Sequence, residues 1–198
     1  MGYSVDDLKE KALHYHVEND LEGAIEYFSQ IIENDKNCAN AYMYRAEAKR
    51  DLKSYNDALI DIDKSIELDP NNEYAYFIKA NILEDTGNSQ AAIQNYSKAI
   101  ELNPNDNISY SCRGRIKREL KDYKGAIEDY DQAIELNPNY ELYYIERGVI
   151  KEELKDYKGA IEDYNKALVL TDYEHWKREI LSRIKDCEEK LTEHGEYN

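Results

Sequence analysis

Small and large apolar residues return along this chain at intervals of 34 positions. Ala24, Ala58, Ala92, Ala126 and Ala160 keep that spacing, and so do Phe28, Ile62, Tyr96, Tyr130 and Tyr164. A second small position reads Ala12, Ala46, Ala80, Gly114 and Gly148; a second large one reads Leu8, Tyr42, Tyr76, Tyr110 and Tyr144. The segment LKDYKGAIEDY occurs at 120–130 and again at 154–164, and Pro70, Pro104 and Pro138 repeat in the same phase. A period of this size marks stacked helical hairpins rather than one globular core.

Placing each proline at position 32 divides the chain into five repeats, 5–38, 39–72, 73–106, 107–140 and 141–174. Within the fourth, helical spacing covers 108–120, Lys121-Asp122 begins a turn, and a second helix covers 123–136. Asn137-Pro138-Asn139 then ends it, because proline disfavours helix at the residue before it. Small residues at positions 8 and 20 let two antiparallel helices approach closely, and the large residues at positions 4 and 24 fill the flanks. Arg45, Arg113 and Arg147 at position 7 occur in the repeats that carry Asp61, Asp129 and Asp163 at position 23. The two repeats with Lys11 and Lys79 have Tyr27 and Asn95 there instead. The planar guanidinium suits bidentate pairing, so an Arg–Asp bridge across each hairpin is expected.

Trp176, Ile180, Leu181, Ile184, Cys187 and Leu191 form an apolar stripe at three- to four-residue spacing. They predict one amphipathic helix over 173–192 that caps the last hairpin, followed by a frayed end at 193–198. The expected fold is therefore all-α, a right-handed superhelical solenoid of five antiparallel hairpins plus a C-terminal capping helix.

Period, small–large pattern and recurring proline together resemble the tetratricopeptide repeat family over 5–174. One departure is the basic residue at position 7, where that family is usually apolar. The resemblance implies a concave groove lined by the first helix of each repeat, at positions 2, 5, 6, 9, 12 and 13, where peptides bind. On this chain those positions supply Tyr44, Tyr74, Phe77, Ile78, Asn81, Ile108, Cys112, Arg115, Arg118, Leu142, Ile145 and Val149 as candidate groove residues. An apolar patch there expects a protein or peptide bearing apolar side chains, with an acidic group near Arg115 and Arg118. The family's clamp for acidic tails and its asparagine ladder do not fit: Lys9 and Asn81 are isolated matches to the clamp. Position 6 reads Glu10, Tyr44, Ile78, Cys112 and Glu146 where the ladder needs asparagine.

Charge narrows the partners further. A net charge of −16 argues against nucleic acid or an anionic membrane, since like charges repel. The stretch 1–16 holds no apolar run for a signal sequence or membrane span. Cys38, Cys112 and Cys187, few and far apart, fit reduced thiols in a cytoplasmic protein. No phosphate-cradling glycine loop or nucleophile elbow is present. His14 and His16 diverge on a helix, and His175 and His194 lack ligand-spaced companions. No catalysis, metal or cofactor is expected. The leading expectation is an adaptor that binds a protein segment in its groove. The alternative is a weakly self-associating structural protein whose groove takes the tail helix of another copy. Most of the 19 tyrosines are expected in hairpin packing.

Overall fold

The computed structural model describes residues 20–193, all of its regular elements there being helices. They are α1 (Leu21–Asn34), α2 (Ala39–Asp51), α3 (Tyr55–Leu68), α4 (Glu73–Asp85), α5 (Ser89–Leu102), α6 (Asn107–Glu119), α7 (Tyr123–Leu136), α8 (Glu141–Glu153), α9 (Tyr157–Leu170) and α10 (Glu174–Glu193). The expected first helix of the first repeat and the end at 194–198 lie outside the described residues. Two compact bodies divide at Pro104 and Asn105. The first holds α1 and the hairpins α2–α3 and α4–α5; the second holds α6–α7, α8–α9 and α10.

Short polar side chains start six of the described helices. Asp20, Asn88, Asp122 and Asp156 accept from the backbone N–H three residues on, and Asn72 and Asp106 do so two residues on. Each satisfies an orphan donor of the first turn. Capping by Asp106 starts α6 at Asn107, one residue before the 108 expected from apolar spacing. The prolines lie just beyond α3, α5 and α7, whose C-caps Asp69, Asn103 and Asn137 have already left helical geometry.

The turns inside the hairpins share one geometry. Lys53, Gly87, Lys121 and Lys155 have φ of 60°, 77°, 63° and 63°, and each donates to the carbonyl three residues back. The following residue donates five back, as in Asp122 N to Lys117 O at 2.8 Å. This is the Schellman end, which satisfies the last carbonyls of the first helix.

Ala58, Ala92, Ala126 and Ala160 are fully sealed at the helix crossings, as are Ala46 and Ala80 opposite. A Cβ on Gly148 would lie 2.7 Å from the Tyr164 ring, and one on Gly114 would lie 3.2 Å from that of Tyr130. The missing methyl is what lets those rings lie across α8 and α6. In the α4–α5 hairpin Ala80 and Tyr96 coexist, with the Tyr96 hydroxyl held by Asn81 (2.5 Å) and Glu84 (3.0 Å).

All three expected Arg–Asp bridges form, and all are bidentate. Arg45 donates from Nε and Nη2 to Asp61 at 2.8 and 2.6 Å, Arg113 to Asp129 at 3.0 and 2.6 Å, and Arg147 to Asp163 at 2.9 and 2.6 Å. A third member joins each bridge: Lys49, Lys117 and Lys151, one turn further along the same helix, reach the same carboxylates at 2.7, 2.8 and 2.8 Å. Two cations thus compensate each buried acid. Position-7 cations also tie neighbouring hairpins within a body, Lys79 to Asp63 at 2.7 Å and Arg147 to Asp131 at 2.5 Å.

The tail forms α10 and packs on α9, burying Ile180, Ile184, Cys187 and Leu191. Beneath it Glu152 accepts from Arg183 Nη1 (3.4 Å) and from the Cys187 thiol (3.3 Å). Among the described residues no helix is long and apolar enough to cross a membrane.

Candidate functional site

The first helix of each hairpin carries the candidate groove residues. In the second body, α6 and α8 enclose a pocket of about 440 Å³. Its α6 wall is Asn107, Ile108, Ser111, Cys112 and Arg115; its α8 wall is Leu142, Tyr143 and Glu146, with Tyr130 from α7 and Asn137 and Tyr140 from the connection. Ile108, Cys112, Arg115 and Leu142 therefore come together around one cavity. Ile108 is 53% exposed, an apolar side chain held in water by its helix.

The pocket's aromatic wall is ordered by local bonds. Tyr143 is buried and donates from its hydroxyl to Asn107 Oδ1 at 2.6 Å, tying α8 to the start of α6. Tyr140 meets it edge-on at 4.7 Å between ring centres. Burial pushes the Tyr143 hydroxyl above the usual phenol range, so it stays a donor at neutral pH. Glu146 is already committed, accepting from Arg118 Nη1 at 2.7 Å. Arg115 meets Glu119 at 3.7 Å along its own helix, a long pair between exposed groups that adds little.

Several sequence expectations need correction. Ile145 is only 5% exposed and packs in the core with Tyr144, Ala160 and Tyr164, and Ile78 is 1% exposed between Ala75 and Ile82. Neither presents a surface to a ligand, because the inward turn of each helix uses them for packing. Arg118 spends its charge on Glu146, leaving Arg115 as the cation that lines the pocket. Val149 and Leu142 are partly buried against the Tyr164 core, and Val149 does not reach the cavity.

The first body offers an aromatic strip instead. Tyr74 is exposed, stacks on Phe77 at 5.8 Å, and donates to Glu47 at 2.7 Å. Phe77 meets Tyr96 edge-on, while Tyr44 stacks on Phe28 at 5.6 Å. Asn81 accepts from Tyr96 and so belongs to the hairpin's own network. Sequence reasoning missed Tyr140, Tyr143, Asn107 and Asn137 as pocket residues. They occupy positions outside the six on which the groove expectation rested, and nothing in the repeat pattern marked them.

The model of the ETO1 C-terminal domain matches residues 8–154, and that of the tetratricopeptide repeat matches 142–171. No curated protein matches the chain. Among solved structures, the crystal structure of MamA is similar at 25% identity and a TM-score of 0.74, over 79% of this chain and 92% of that one. YrrB, a repeat protein with an unusual peptide-binding site, is similar at 20% identity and 0.72 over 88% of each chain. PilF of Pseudomonas aeruginosa is similar at 16% identity and 0.79, over 98% of this chain and 93% of that one. With most of its length on one family model and its hairpins on the 34-residue period, the chain belongs to the ETO1 C-terminal domain family and is a tetratricopeptide repeat protein.

Proposed function

We propose that this chain is a protein-interaction module that holds a segment of a partner protein in the pocket between α6 and α8. One observation carries the reading: Ile108 stands 53% exposed at the mouth of a cavity of about 440 Å³, facing Leu142 and Tyr140. Apolar surface held open in a concave site with a few fixed polar groups is what a bound side chain would cover. Peptide binding by the structurally similar YrrB is consistent with this use of the fold. The partner is expected to present apolar side chains, and the role is that of an adaptor without chemistry of its own.

Self-association through the tail helix has less support, since α10 buries Ile180, Ile184, Cys187 and Leu191 against its own chain and leaves Leu181 of the stripe exposed. Affinity capture from native lysate tests the main reading. Ile108→Asp should abolish capture of a partner while leaving the helical circular-dichroism signal unchanged. Ile60→Asp, at a still more exposed isoleucine on α3, should leave capture intact. Capture that survives Ile108→Asp would move the site elsewhere. Light scattering over a concentration series that shows dimers lost on the same substitution would favour self-association instead.

A further inference from the structure

Arginine is held in the same way at three places in this chain. Arg45, Arg113 and Arg147 each grip an aspartate of the facing helix with two arms of the fork. Each also lies over a tyrosine of its own helix, the guanidinium carbon 5.6 Å from the ring centre of Tyr42, 5.6 Å from that of Tyr110 and 5.8 Å from that of Tyr144. A carboxylate answers the charge of the guanidinium, and an aromatic face answers its plane.

The first body presents a fourth pairing of acid and ring, and this one holds no arginine. Tyr74 on α4 stacks on Phe77 at 5.8 Å, yet stays 38% exposed. Its hydroxyl donates to Glu47 Oε1 on α2 at 2.7 Å, which fixes ring and carboxylate side by side. Burial and the bond to Glu47 push that hydroxyl above the usual phenol range, so it keeps its proton and its place at neutral pH. The second oxygen of Glu47 remains an acceptor. Among the described residues no cation pairs with Glu47. The cations of α2 and α4 are placed elsewhere: Arg45 and Lys49 on Asp61, Lys79 on Asp63, and Arg50 on Asp85 at 2.6 Å. On a chain of net charge −16, the field favours a cationic visitor.

We propose that this strip between α2 and α4 binds an arginine side chain of a partner protein, its fork donating to Glu47 and its plane lying against the Tyr74 ring. The aliphatic stem of that arginine covers Phe77, as long basic side chains cover apolar surface elsewhere. Lysine fits less well, because a point charge on a flexible stem gains less from a ring and a carboxylate together. The site belongs to the first body and does not rest on the α6–α8 pocket, which belongs to the second.

Titration of the isotopically labelled full chain, followed by nuclear magnetic resonance, tests this with three peptides. The first is acetyl-Ala-Leu-Arg-Leu-Ala-amide. The second carries lysine in place of the arginine, and the third carries citrulline, which keeps the shape and removes the charge. The arginine peptide should bind at least about tenfold more tightly than the citrulline peptide, moving the amide signals of Glu47 and Tyr74. Glu47→Gln should remove that advantage, and Tyr74→Leu should reduce it about two- to fivefold, with the circular-dichroism spectrum unchanged in both. Ile108→Asp, which alters the pocket of the second body, should leave the binding as it is. Equal affinity for the arginine and citrulline peptides would overturn the proposal. So would lysine binding as tightly as arginine, or shifts that survive Glu47→Gln, since either would show general attraction to an acidic surface.

Discussion

Asp61, Asp129 and Asp163 are each nearly sealed from water, and each meets an arginine fork and a lysine ammonium. Removing one partner from such a group leaves charge stranded in a poorly solvated place. Asp129→Asn is expected to cost about 3 kcal/mol, measured by urea unfolding. The α4–α5 hairpin holds Lys79, Leu83 and Asn95 at the equivalent places, so Asn95→Asp alone should destabilise it. Adding Lys79→Arg and Leu83→Lys should restore the loss. The arginine half of this arrangement was legible because Arg and Asp appear and disappear together along the sequence. The lysine was not, although Lys49, Lys117 and Lys151 follow the same rule; on a chain this rich in charge a lysine reads as solvated surface. Cys187 gives a second test at this scale. Burial and the Glu152 carboxylate push its thiol up to about 12, so the folded chain keeps a proton that the unfolded chain releases near 9. Its contribution to stability is intact below pH 9 and is lost as pH rises toward 12. At pH 9 iodoacetamide should modify the half-buried Cys38 well before Cys187, and urea should abolish the difference.

Many helix starts and stops were written plainly in Asp, Asn and Pro, though α2 and α8 begin after Cys38 and Tyr140 with no side-chain cap. The ends inside the hairpins were not: only Gly87 announces a left-handed residue, while Lys53, Lys121 and Lys155 adopt the same backbone region. Their six-to-one and five-to-two hydrogen bonds impose it despite the steric cost of a Cβ. The tail stripe at three- to four-residue spacing announced α10, but not that it would also supply Arg183 and Cys187 to Glu152. Removing 174–198 should therefore do more than expose an apolar face. It would uncover Tyr164 and Ala167 and leave Glu152 without its partners. A melting temperature lower by several degrees and aggregation in light scattering are the expected outcomes.

For the molecule as a whole, the fold was more legible than the site, and the reason is physical. Packing repeats every 34 residues, so the sequence states it again in each hairpin. A groove is stated once. Ile78 and Ile145 are apolar on helices that face it, yet the same apolarity serves the core, and only burial separates the two uses. Ile108 and Leu142 look no different in sequence and line the pocket. Each compact body has its own buried clusters. Residues 105–198, expressed alone, should thus fold with helical circular dichroism and a cooperative thermal transition; a flat melting curve would show that this body depends on the rest of the chain.

The left-handed lysines at the hairpin tips also have a practical meaning for a protease. Lys53, Lys121 and Lys155 are exposed, sit between helices rather than within them, and carry the side chain that trypsin selects. Brief digestion of the native chain should nick these three tips first and spare the one turn built on Gly87. The fragments should stay associated through the helix packing on either side of each cut, so the cleavage pattern would map the hairpins in solution without disassembling them.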